Sequence, residues 1–209
     1  LFVIDLSVPE NPKVLGYLKV TGYSGYLHPY DENHIIGVGQ EATEEGRVQG
    51  VKISLFDVSD VANPREIGKY EVSEGQYSYS DAINDHKAFL FDKEKELLVM
   101  PVSYNSYAGG RYENWQGAFV FNVNLDDGIK LKGKIAHDRK DVDQYYYGGQ
   151  DYVRRSLFMD DVLYTISNAK VKANALGDLS EIEEVELPYE PQVYYGYGRV
   201  VGMEVAVAE

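Results

Sequence analysis

The 209-residue chain has room for one large domain or two small ones, and with 44% hydrophobic residues spread along its length it is not a disordered chain. Its net charge of −14 and pI near 4.7 set it against phosphate backbones and anionic lipid, which excludes nucleic acid as a natural partner and favours cations or basic surfaces. The absence of cysteine excludes disulfides, thiolate metal sites and thiol nucleophiles, and no run approaches the ~18–20 apolar residues of a membrane span.

The chain opens on Leu1-Phe2-Val3-Ile4, neither a start methionine nor a basic leader, and reads as if entered in mid-strand, as a piece of a longer protein would. This apolar run closes on Asp5-Leu6-Ser7, passes a proline turn (Pro9-Glu10-Asn11-Pro12) and resumes as a strand from Val14 to Val20. Next comes a strand, an acidic turn and a strand: Leu27 to Asp31, then His34 to Val38. The first pattern returns as Leu55-Phe56-Asp57-Val58-Ser59, Asn63-Pro64 and a strand from Glu66 to Val72. The second returns as Ala88 to Asp92 followed by Leu97 to Val102. A third hairpin reads Phe119 to Val123, Asp126-Asp127-Gly128 and Leu131-Lys132-Gly133. Leu157 to Asp161 and Val162 to Ile166 repeat the strand-turn-strand unit, and Val171 to Leu176 with Asp178 to Ile182 form a degenerate fourth hairpin. Residues 199–207 are again strand-like. No segment carries a helical apolar period over three turns, so almost no helix is expected.

Asp5, Asp57, Asn122 and Asn174 mark the repeat at intervals of 52, 65 and 52 residues. A period of about 50 residues matches one four-stranded propeller blade and is too long for a leucine-rich or ankyrin repeat. In each marker turn the acidic or hydroxyl side chain accepts from nearby backbone N–H groups, and Asn-Pro stiffens the corner. These residues therefore read as turn formers, not ligands. The continuous apolar character of the strand-turn-strand units predicts strands buried on both faces, as in the inner part of a blade. The fold class expected is an all-β propeller of four-stranded antiparallel blades, about four in number or a fragment of a larger ring. It forms a single domain over residues 1–209, with blades near 26–72, 85–135 and 152–187. A further blade joins 1–20 to 199–209, unless self-association covers the open edges.

Ile4-Asp5-Leu6-Ser7 with Asn11-Pro12, and Phe56-Asp57-Val58-Ser59 with Asn63-Pro64, resemble the LVIVD-type repeat of surface propellers. Tyr26 to His34 and Asp85 to Asp92 are similar to segments of a family of secreted archaeal and bacterial proteins with a C-terminal β-propeller distantly related to WD40 repeats. The resemblance runs to about Leu187. It implies secretion or surface display and an extracellular setting, and it carries over no catalytic residue.

Four histidines, His28, His34, His86 and His137, show no zinc-type spacing. His28 and His86 are the two that a central channel would bring together. Asp138, Asp141 and Asp143 make an oxygen-rich segment with some capacity for calcium, though not in the EF-hand register. Two tyrosine- and glycine-rich loops stand out. Tyr104, Tyr107, Arg111, Tyr112 and Trp115 lie in the insertion that stretches the middle interval, and Tyr145, Tyr146 and Tyr147 precede the fourth blade. Tyr77 and Tyr79 add a third group. Such residues make adaptable recognition surfaces with little entropy to lose per contact. No nucleophile elbow, P-loop or dinucleotide fingerprint is present. The reading is a non-catalytic scaffold of a secreted or surface protein that binds protein or glycan at a loop face, with no cofactor unless calcium. The alternative is a calcium-dependent or carboxylate-based hydrolase or lyase acting at the channel.

Overall fold

Alternating β-branched and aromatic residues, punctuated by Asp, Asn, Gly and Pro, produce fifteen strands among the described residues. The computed structural model describes residues 1–72, 77–108, 111–137 and 151–188. Strands β1 (Phe2–Asp5) and β2 (Lys13–Tyr17) form a two-stranded sheet. Strands β3 (Tyr23–Pro29), β4 (His34–Ala42), β5 (Val48–Asp57) and β6 (Arg65–Glu71) form a four-stranded antiparallel meander. The third sheet is built on β9 (Leu97–Ala108), β10 (Arg111–Asn124) and β11 (Gly128–Ala136). Two short strands, β7 (Tyr77–Tyr79) and β8 (Leu90–Asp92), both pair with β9. The fourth sheet is the meander β12 (Arg155–Met159), β13 (Val162–Ile166), β14 (Lys170–Ala175) and β15 (Glu181–Glu186). These are the blades of a β-propeller.

Period-2 alternation on the third sheet supplies both of its packing faces. Leu98, Met100, Phe119 and Phe121 meet Ile36, Val38, Ile53 and Leu55 of the second sheet. Their immediate neighbours Leu97, Val99, Ala118 and Val120 meet Val153, Leu163 and Leu176 of the fourth. A central blade must therefore be apolar at consecutive positions, because every residue of β9 and β10 in this region has a blade to face.

Three expectations change. The doubly buried strands are β4 and β5, not the first of each unit: β3 alternates between exposed and half-buried residues. The first strand of the third blade does not run from Ala88. His86–Ala88 is a single 3-10 turn, started by the Asp85 carboxylate accepting from the Lys87 N–H at 3.0 Å, and a second such turn covers Asp81–Ile83. The chain loops out between β7 and β8, so this edge of the sheet is supplied in two pieces. Finally, the described residues of the stretch from Tyr104 to Trp115, up to Ala108 and from Arg111, are strand and not loop. They form the extension of the β9–β10 hairpin, with Tyr104 opposite Trp115 and Tyr107 opposite Tyr112.

One irregularity recurs in every blade. The ladder slips after Val3, Leu55, Val120 and Ala173. The second residue beyond the slip is Asp5, Asp57, Asn122 and Ala175. Ala175, not Asn174, thus holds the marker position of the fourth repeat, which lengthens the last interval by one residue. Opposite the residue before the slip stand Gly16, Gly68, Gly133 and, in the fourth sheet, Glu183. Each glycine lies where the next blade approaches: Gly16 meets Val61 and Ala62, Gly68 meets Gly128, and Gly133 meets Leu179.

The closeness differs, so the three sites should respond differently to a methyl group. A Cβ on Gly16 would fall 2.1 Å from the Val61 carbonyl oxygen, whereas on Gly68 its nearest neighbours would lie at 3.5 and 3.6 Å. Gly16→Ala is expected to lower stability by about 2 kcal/mol through overpacking. Gly68→Ala is expected to be neutral or to stabilise by up to about 1 kcal/mol, because alanine restricts the unfolded chain. Urea melts of both variants test this, and equal losses would contradict the seating of the next blade on Gly16.

Candidate binding face

Antiparallel pairing gives the blades two unlike ends. At one end lie the turns after β1, β3, β5, β8, β10, β12 and β14, built from Asp, Asn, Ser and Pro. Asp57 accepts from the Ser59 N–H at 2.9 Å, the Ser59 hydroxyl at 2.6 Å and Arg65 at 2.6 Å, which together hold its carboxyl down at about 2. Asp5 accepts from the Ser7 N–H and Asp178 from that of Ser180. In the third repeat the turn is held by Asn124, which accepts from the Asp127 N–H at 2.6 Å, and not by the marker Asn122.

The opposite end is aromatic and amide-rich. The Tyr23 hydroxyl donates to Gln40 Oε1 at 2.8 Å, and Gln40 Nε2 donates to the Tyr77 hydroxyl at 3.4 Å, which joins the second blade to the third. The Val51 N–H donates to Ser78 Oγ at 2.8 Å beside them. Asn114 Nδ2 donates to the Tyr152 hydroxyl at 3.1 Å, and Gln116 exchanges two hydrogen bonds with the Val153 backbone, at 2.7 and 2.8 Å, which joins the third blade to the fourth. Tyr23, Tyr77, Tyr107 and Tyr152 are exposed here, Tyr107 by 62%.

Beneath this rim Tyr104 and Trp115 stack at 5.2 Å with an interplanar angle of 16°. The Lys134 ammonium lies 5.3 Å from the Tyr104 ring, 5.6 Å from Trp115 and 4.6 Å from Phe119. Trp115 packs against the core cluster. Tyr104 and Trp115 therefore stiffen the base of the projecting hairpin, while Tyr107 presents its ring beyond them. Arg111 and Tyr112 are placed by backbone pairing on β10 near the hairpin tip. Tyr145, Tyr146 and Tyr147, the acidic trio Asp138, Asp141 and Asp143, and residues 199–207 lie outside the described residues.

A buried ion pair underlies the second blade at this end. Lys52 reaches Glu41 Oε2 at 3.2 Å and donates to the Thr21 carbonyl in the segment that leads from β2 into β3. Burial pushes the Glu41 carboxyl up, but hydrogen bonds from Thr21, the Ala42 N–H and Lys52 outweigh it and bring it down to about 2. His137, at the end of β11, is also buried; its Nε2 is 2.8 Å from Thr165 Oγ1, and burial, helped by Lys172 and Lys170, lowers its pKa to about 4.

Of the two histidines read from sequence as channel residues, one packs among aromatic rings and the other is exposed. His28 Nδ1 is 2.9 Å from the Tyr26 hydroxyl, and its ring lies 4.9 Å from Phe89 and 5.4 Å from Phe91, so it packs in an aromatic cluster where burial lowers its pKa. His86 is exposed in its 3-10 turn. Among the described residues no three His, Asp or Glu side chains are grouped to hold a metal. Among them, too, no helix is long and apolar enough to cross a membrane. Gln40 and Gln116 escaped the sequence reading, because the contacts that join them to the next blade are with residues far along the chain.

A family model described as a β-propeller domain matches residues 1–179. The chain belongs to this β-propeller family. The propeller is 35% identical over 198 residues to an uncharacterised protein, MJ1554, of Methanocaldococcus jannaschii, covering 95% of this chain and 26% of the relative. It is 33% identical over 186 residues to an uncharacterised protein of Archaeoglobus fulgidus, covering 89% of this chain and 24% of that one. The propeller thus spans about a quarter of the length of these relatives.

Proposed function

We propose that this propeller is a non-catalytic binding module of a secreted or cell-surface protein, and that its tyrosine-rich end takes a protein or glycan ligand. The observation that carries the reading is the asymmetry of the two ends. The Asp, Asn and Pro turns satisfy their own hydrogen bonds at one end. At the other, exposed rings from three successive blades are held by amide bridges between blades. Tyrosine offers a rigid apolar plate with a polar tip, and neighbouring Asn and Gln amides suit hydroxyl-rich or backbone partners. An amide network between blades of this kind keeps the rings oriented before a ligand arrives, which lowers the ordering cost of binding.

A thermal-shift screen of the purified chain against a glycan panel, calcium and other divalent ions tests this, since a ligand bound to the native state raises Tm. Tyr107→Ala is expected to leave stability within about 0.5 kcal/mol, as an exposed substitution does. It is also expected to weaken a glycan or protein hit at least about tenfold, the loss of one interfacial aromatic anchor. A hit whose affinity survives both Tyr107→Ala and Tyr77→Ala would bind elsewhere, and the reading would fail.

A further inference from the structure

Strands β9 and β10 stay in register without a slip, from Leu97 opposite Asn122 to Ala108 opposite Arg111, so alternate residues share a face along the whole hairpin. One face can be followed from the core outward. It begins with Leu97, Val99, Ala118 and Val120, which pack on the fourth blade. It then reaches Ser103 opposite Gln116, and Gln116 is hydrogen-bonded to the Val153 backbone two residues before β12 begins. Beyond this level the hairpin outruns the fourth blade, whose strands have five or six residues against 12 and 14 in β9 and β10. The same face there carries Asn105, Tyr107 and Asn114, with the Tyr152 hydroxyl 3.1 Å from Asn114 Nδ2. Asn105 is half-buried, and Tyr107, Asn114 and Tyr152 are exposed. The face thus changes from aliphatic to amide and phenol where the strands of the neighbouring blade stop.

We propose that this overhang, between the β9–β10 hairpin and Tyr152, binds a neutral glycan; the proposal rests on the tyrosine-rich end being the ligand face. A surface kept for a protein core contact would have stayed apolar. In a chain of net charge −14, a surface kept for a basic partner would carry carboxylates. Of the described side chains on this face of the hairpin beyond the fourth blade, none is charged. The Tyr107 ring offers a flat plate to the C–H face of a pyranose. Sugar hydroxyls both donate and accept, and so do the groups beside that ring. Asn114 spends one of its two N–H donors on Tyr152, which leaves its carbonyl oxygen and the other donor, while the Tyr152 hydroxyl keeps its own proton to give. Gln116 is committed to the Val153 backbone and holds the two blades at a fixed distance beneath the sugar.

Calorimetric titration of the purified chain with cellohexaose, xylohexaose, mannohexaose and chitohexaose tests this, with an oligogalacturonate and oligolysine as acidic and basic probes. At least one neutral hexasaccharide is expected to bind, with an affinity that changes less than about twofold between low and molar salt, since the face has no charge to screen. Asn105→Ala and Asn114→Ala are each expected to weaken it roughly three- to tenfold, the loss of one or two hydrogen bonds. Urea melts of both variants check that the fold is intact. No binding of any neutral hexasaccharide would overturn the proposal. Binding only of the acidic or basic probe, lost on Tyr107→Ala, would overturn the ligand class and leave the tyrosine-rich end as the ligand face. A neutral sugar lost on Tyr23→Ala but not on Asn114→Ala would move the site to the second blade and overturn the overhang. A neutral sugar that survives both Tyr107→Ala and Tyr77→Ala would remove the broader reading as well.

Discussion

Glu41→Ala is expected to destabilise the propeller by about 3–5 kcal/mol at pH 7, the usual loss when one member of a buried ion pair is removed. Lys52 would remain almost fully buried, with the Thr21 carbonyl as its main contact and Lys69, also near Glu41, adding like charge. Replacing both partners, Glu41→Ala with Lys52→Met, should recover most of the loss, because an apolar pair carries no desolvated charge. Urea melts of the single and double variants decide it; a double variant no better than the single one would mean that the penalty is packing, not charge. The carboxyl also adds pH dependence. Its pKa is lowered from 4.5 to about 2 in the native state, so its contribution is present above about pH 4.5 and fades as the pH falls towards 2. The pair fastens the segment that carries the chain from β2 to Tyr23, and so supports the tyrosine-rich end as well as the fold.

His137 should make the third and fourth blades acid-sensitive in a higher pH range. Its pKa falls from 6.5 to about 4 on folding, so between these values the unfolded chain binds the extra proton and the native state does not. The neutral imidazole's contribution is therefore complete above about pH 6.5 and is lost as the pH drops through 4. A shift of that size corresponds to about 3 kcal/mol between pH 7 and pH 4. Carboxylates with lowered pKa act in the same direction, so the measurement is a difference. Wild type should lose about 3 kcal/mol more than His137→Leu over this interval. Parallel pH profiles would show that His137 is protonated without cost, for instance by pairing with Glu184, the one nearby group that raises its pKa.

The repeat was legible because a blade is made of local contacts. Apolar runs closed by Asp-x-Ser and Asn-Pro appear as hairpins in the first two repeats, since turn chemistry is written in adjacent residues. Where the motif degenerates, legibility failed by one residue: nothing local distinguishes Asn174 from Ala175 as the marker, and only the position of the ladder slip does. Tyr104 to Trp115 illustrates a different limit. Tyrosine, glycine and asparagine suit a loop and a strand alike, and the choice fell to cross-strand pairing that extends a hairpin already nucleated by Leu97 to Val102 and Phe119 to Val123. The short strand β7 was hidden for the same reason: it has three residues and is a strand only because β9 reaches it.

By itself, then, the sequence determined the all-β class, the four-stranded unit, the turns and the lack of a standard catalytic motif, because each of these depends on residues within one hairpin. The tertiary structure alone decided which residues face which blade. It set Gln40 against Tyr77, Asn114 against Tyr152 and His137 on Thr165. It also packed His28 among aromatic rings and left His86 exposed. Those pairings depend on how blades stack and twist past one another, and stacking joins residues far apart in the chain through contacts that no local pattern encodes.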